Sequence, residues 1–166
     1  MVRVHILLGG LFGPDGAVTS RGMYGLADSL SKLPNVTCQT YFWSSWQVAW
    51  QAMWQQKPTE KTAVIGYSGG GSRATWLADF SKLNIELMVL YDPSPEWQMC
   101  QIGNNVARAI CYYNQSPMMF GLGGGKLTAI NGFKGYLETV PIAEQHLAVQ
   151  YDSTLHARTI AEVKQL

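Results

Sequence analysis

The sequence predicts a three-layer α/β domain, a mainly parallel sheet with helices packed on both faces. Two patterns lead there. Apolar runs of strand length alternate with segments of helical periodicity about ten residues long, the order that joins parallel strands by right-handed crossovers. The runs are continuous rather than alternating, as expected of strands covered on both faces. No internal repeat, linker or low-complexity tail interrupts residues 1–166, which are expected to form a single domain.

Each element follows from local chemistry. VRVHILL (2–8) is an apolar run closed by Gly9 and Gly10, hence a buried first strand. MYGLADSLSKL (23–33) has helical spacing and stops before Pro34. NVTCQTYF (35–42), β-branched and aromatic, is a strand. SWQVAWQAMWQQ (45–56) is a helix behind a serine cap, ending ahead of Pro58. KTAVIGY (61–67) predicts a strand and SRATWLADFSKL (72–83) the helix after it. IELMVLYD (85–92) and VARAICYYN (106–114) are further strands. Past a glycine-rich stretch, KLTAIN-GF-KGYLETV is expected to form a hairpin, and TLHARTIAEVKQL (154–166) a closing helix.

Composition narrows the function. Charged residues are 14% of the chain and the net charge is +1, with no basic run, which argues against nucleic acid or an anionic membrane as the main partner. Cys38, Cys100 and Cys111 show no CxxC spacing, and an odd count fits a reducing compartment. The start, MVRVHILLGGLFG, resembles a signal peptide, but its apolar run is short and Gly9-Gly10 interrupts it. No stretch reaches the roughly 18 apolar residues of a membrane span. A soluble, cytoplasmic protein without a transmembrane segment is expected, needing neither metal nor cofactor.

The chemistry concentrates in TAVIGYSGGGSRATWLADF (62–80). Gly66-Tyr67-Ser68-Gly69-Gly70 satisfies G-x-S-x-G, with a strand before it and a helix after it. A sharp strand-to-helix turn forces the serine into a strained conformation, so its neighbours must lack side chains. The following helix aims its N-terminal N–H groups at the same place, where an oxyanion would gain from them. Two other readings share the stretch. Ser68 could simply cap a helix in a glycine-rich turn. Alternatively, Gly69–Ala74 matches G-x-G-x-x-A, with Asp92 about 20 residues on, as in a nucleotide-binding module.

A nucleophilic serine needs a base and an acid. His5 lies inside the first strand and His156 inside the last helix, where structural roles are the default. His146 falls in a loop after the last strand, and Asp92 ends a strand where α/β sheets place their ligands. Asp92 followed by Pro93 also suits an ordinary turn. The order Ser68, Asp92, His146 matches one class of triad. In GGLFG (9–13), Gly10 permits close approach and the Leu11 N–H is placed to donate to an oxyanion, though a plain glycine turn explains the segment nearly as well.

These motifs make the chain resemble the α/β-hydrolase family, specifically small serine esterases and lipases. The resemblance rests on LLGGLFG, VIGYSGGG, LYDPSP and QHLAVQYDSTLHARTIAEV. The G-Y-S elbow is similar to that of cutinase-like enzymes, and the Asp-Pro position looks like that of some lipases. It implies Ser68 as nucleophile, Asp92 as acid and His146 as base, with the Leu11 and Gly69 amides as oxyanion hole. The implied substrate is a small-molecule or lipid ester, contacted by Gly10, Phe12, Tyr67, Met118 and Phe120. The chain departs from the family in having no room for a lid domain and in carrying Gly9 where many lipases have histidine. The family's acid more often follows the next strand, near Asn114, which cannot serve; Asp152, after the histidine, is a third candidate.

Trp46, Trp50 and Trp54 stripe one helix face, with Trp43 just before it. Packing on the sheet is expected. Exposed, the stripe would serve an apolar substrate, a membrane interface or a partner subunit, including a second copy in a homo-oligomer. SPMMFGLGGGKL (116–127), with its methionines and glycines, suits a mobile wall over an acyl pocket or else a plain surface loop.

Overall fold

The computed structural model describes residues 1–10, 20–95, 101–116 and 122–166. Its main sheet has the order β2-β1-β3-β4-β6-β8, and every neighbouring pair is parallel. The strands are β1 (Val2–Leu8), β2 (Val36–Phe42), β3 (Lys61–Tyr67), β4 (Leu87–Tyr91), β6 (Arg108–Asn114) and β8 (Tyr136–Ile142). Two short strands, β5 (Gln101–Ile102) and β7 (Thr128–Ala129), form a separate parallel pair. The helices are α1 (Arg21–Ser31), α2 (Trp46–Trp54), α3 (Gly69–Ser81), α4 (His146–Val149) and α5 (Ser153–Lys164).

Side-chain alternation along the strands divides the core in two. Val4, Ile6, Leu8, Ile65, Val89 and Ile110 face α1 and α5, meeting Met23, Leu26, Leu30 and Val163. Leu7, Val64, Met88, Leu90 and Ala109 face α2 and α3, meeting Ala49, Met53, Ala74 and Leu77. Both faces being covered explains why the strands read as unbroken apolar runs.

The sequence expectation fails at the hairpin. Thr128–Ala129 pairs with β5, while β8 joins β6 in parallel register from Arg108↔Tyr136 to Asn114↔Ile142. A hairpin would leave the β6 edge unpaired; β8 satisfies that edge along its whole length. Side chains reinforce the choice, since Glu138 on β8 pairs with Arg158 of α5, and Arg108 on β6 makes a two-pronged bond to Glu162 of α5 at 2.7 and 2.8 Å.

The tryptophan stripe divides. Trp46 and Trp50 are half-buried against the second core, while Trp54 at the end of α2 is 58% exposed. Among the described residues, no helix is long and apolar enough to cross a membrane.

Candidate active site

Register sets the site. Tyr67, Tyr91 and Tyr112 lie side by side at the carboxyl ends of β3, β4 and β6. One residue further, Ser68 N–H donates to Tyr91 O at 3.1 Å and Asp92 N–H to Tyr112 O at 2.7 Å. Each is the last rung of its ladder, and each then turns through left-handed backbone, with φ of 57° at Ser68 and 42° at Asp92. For residues with a β-carbon this conformation is strained, costing about 1–3 kcal/mol, and such strain gathers at functional positions.

The elbow is tight because neighbouring backbones crowd it. A β-carbon at Gly66 would lie 2.6 Å from Gly71 Cα, and one at Gly9 would lie 2.5 Å from Ser68 Cβ. The helix starts earlier than its sequence pattern suggests: α3 begins at Gly69, directly after the serine. Gly69 therefore sits in the first turn, where helix N–H groups lack intrahelical acceptors. The expected Gly69 donor is thus beside Ser68.

Three side chains from three strand ends meet. His146 Nε2 is 2.8 Å from Ser68 Oγ, and His146 Nδ1 is 2.7 Å from Asp92 Oδ2. Asp92 Oδ1 accepts from the backbone N–H of Asn114 at 2.8 Å and of Gly124 at 2.7 Å. With donors converging on both carboxylate oxygens, Nδ1 carries the histidine's proton and Nε2 is left to accept from the serine. Asp92 is 0% exposed and Ser68 6%, so little water competes for these bonds.

His146 opens the four-residue helix α4 rather than lying in the expected open loop. Its carbonyl accepts from the Tyr67 hydroxyl at 3.1 Å, and the two rings stack at 5.2 Å between centroids. Tyr67 corrects the expectation of a substrate contact: it is 1% exposed and lies under the histidine, holding it. Burial, with the Asp92 charge adding to it, raises its phenol pKa, so it stays a donor.

The remaining expectations separate clearly. Gly10 is described, with φ of 139° and its carbonyl accepting from Trp43 Nε1 at 2.9 Å. Leu11, Phe12, Met118 and Phe120 lie outside the described residues. Asp152 caps α5, accepting from Thr154 N–H at 2.7 Å and Leu155 N–H at 3.1 Å. His156 packs edge-on against Tyr91 within α5. The nucleotide reading needs Asp92 to face a ribose, but its carboxylate is buried and engaged by three donors. Among the described residues, no group of three or more His, Cys, Asp or Glu is arranged to hold a metal ion.

Four residues at the site carry roles that no sequence pattern assigned to them. Asn114, dismissed as an acid, holds the acid through its main chain. Gly123 and Gly124 close over Asp92; the run GLGGGK signalled a close approach without naming its target. Ser94, inside the LYDPSP segment, brings its hydroxyl 3.4 Å from Ser68 Oγ, a proximity with no sign in the sequence.

No protein-family model and no curated protein matches the sequence, whereas solved structures do match the fold. A chain from the metagenome-derived lipolytic enzymes LipS and LipT superposes with a TM-score of 0.66 at 12% identity, covering 99% of this chain and 94% of that one. A lidless α/β serine hydrolase from Xanthomonas campestris gives 0.64 at 13% identity, covering 98% and 81%. A serine hydrolase involved in carbazole degradation gives 0.60 at 8% identity, covering 99% and 91%. The sheet, its flanking helices and these superpositions show a minimal α/β-hydrolase fold.

Proposed function

We propose that the protein is a serine hydrolase that cleaves carboxylic esters through an acyl-enzyme. One observation carries the reading: the unbroken chain from Ser68 Oγ through both nitrogens of His146 to Asp92 Oδ2, with links of 2.8 and 2.7 Å. A helix-capping serine needs neither the histidine nor a buried carboxylate behind it.

In the proposed reaction His146 Nε2 takes the Ser68 proton as Oγ attacks the ester carbonyl. Asp92 keeps the imidazole in the required tautomer and stabilises the imidazolium. The Gly69 amide, with Leu11 as the expected second donor, stabilises the oxyanion. The imidazolium protonates the departing alkoxide, and water then releases the acid by the same steps in reverse roles. The lipolytic neighbours support esters as the substrate class.

A fluorophosphonate probe tests the reading. The wild-type protein should acquire one adduct, mapped by mass spectrometry to Ser68, and should hydrolyse p-nitrophenyl esters. Ser68→Ala should remain folded, take no label and lose several orders of magnitude in turnover. A folded Ser68→Ala protein retaining most of its esterase activity would refute the mechanism.

A further inference from the structure

Ser94 follows β4 by three residues, and its main chain has structural work. Its N–H donates to Ser68 O at 3.1 Å, and its carbonyl accepts from Ser72 Oγ at 2.5 Å. Both bonds survive loss of the side chain. Among the described residues, the hydroxyl itself meets one polar side chain, Ser68 Oγ, at 3.4 Å. A strong O–H···O bond spans about 2.5–3.0 Å, so this is a neighbour of the nucleophile rather than a firm partner.

Sheet order assigns the hydroxyl to one side of the reaction. Ser68 ends β3, which lies between β1 and β4. Gly9 approaches from the β1 side. Ser94 comes from β4 and His146 from beyond β8, both on the opposite flank. The group exchanged at the acyl carbon is the one His146 serves: the leaving alkoxide first, water second. It therefore occupies the flank where Ser94 stands.

We propose that Ser94 Oγ orients the water that hydrolyses the acyl-enzyme, an inference that rests on the ester-hydrolase reading above. Water directs one hydrogen to His146 Nε2 and the other to Ser94 Oγ, which turns a lone pair toward the acyl carbon. As the new C–O bond forms, the first proton moves to Nε2. When the bond from the acyl carbon to Ser68 Oγ breaks, that proton passes to Oγ and the carboxylic acid leaves. Ser94 neither gains nor loses a proton. An alcohol has a single hydroxyl hydrogen, already committed to His146, so it gains nothing from Ser94 as an acceptor. The residue accordingly favours hydrolysis over acyl transfer to alcohols.

The test is the ratio of acid to methyl ester formed from p-nitrophenyl butyrate across a methanol series. This ratio reads only events after acylation, and it comes from competent molecules whatever fraction of a variant is folded. Ser94→Ala and Ser94→Gly should each lower the ratio about tenfold, the scale of one hydrogen bond in a transition state. A ratio unchanged in either variant at every methanol concentration overturns the role of Ser94. Failure of the underlying reading looks different: no fluorophosphonate adduct on Ser68 and no methyl ester from the wild-type protein, which removes the proposal as well.

Discussion

A β-carbon on Gly123 would overlap both Asp92 Oδ2 and His146 Nδ1, so the acid–base pair is closed over by a residue without a side chain. Gly123 also has φ of 77°, which other residues adopt at a cost. Gly123→Ala should therefore pry the pair apart, lowering kcat/KM by about 100-fold or more and destabilising the fold by about 1–3 kcal/mol. Kinetics beside urea melts measure both. Wild-type turnover in this variant would mean that the pair tolerates displacement.

The acid is predicted to be Asp92 alone. An amide at that position has one acceptor oxygen for the Asn114 and Gly124 N–H groups, and turns its NH2 on His146. The imidazole then shifts to the wrong tautomer, and kcat for Asp92→Asn should fall by about 10⁴. Asp152→Asn should leave turnover and stability nearly unchanged, because asparagine caps a helix as well as aspartate does. A larger loss at Asp152 than at Asp92 would reverse the assignment.

The two late histidines should also part company. His146→Ala removes the group bridging Ser68 and Asp92, and ester hydrolysis should disappear. His156→Ala loses an edge contact with Tyr91 and should lower the melting temperature while keeping much of the activity. An inactive yet folded His156→Ala protein would argue against this division.

His5 predicts an acid sensitivity unrelated to catalysis. Burial, with Arg3 adding to it, lowers its pKa to about 4. Its nitrogens meet Tyr41 OH at 3.1 Å and Gln56 Nε2 at 2.5 Å. The unfolded chain binds a proton near pH 6.5 that the folded chain refuses until about pH 4. Stability from this group is complete above pH 6.5 and is lost as pH falls toward 4, by up to about 3 kcal/mol. Burial lowers His156 too, adding to the slope. The difference between wild type and His5→Gln in urea melts from pH 7 to pH 4 isolates the His5 share. Parallel stability curves for the two proteins would remove it.

Local chemistry in the chain was enough to place the six strands of the main sheet, most helix ends and the glycine-flanked turn at Ser68. Those features depend on a few neighbouring residues: a period of two or 3.6, a proline stop, a side chain that would clash in a turn. The same letters named Asp92 and His146 as partners but held no information on their distance. That distance is set across 54 residues between Asp92 and His146 and 78 between Ser68 and His146. It depends on ladder register, which aligns Tyr67, Tyr91 and Tyr112 and so brings Ser68 and Asp92 to one level. It depends equally on β8, whose pattern looked like half of a hairpin until the open edge of β6 claimed it. Only that pairing delivers His146 to the rim, turns Asn114 from a failed acid into a backbone donor, and buries Tyr67 beneath the imidazole. Pairing and burial are properties of surfaces remote in sequence, so tertiary structure decides them.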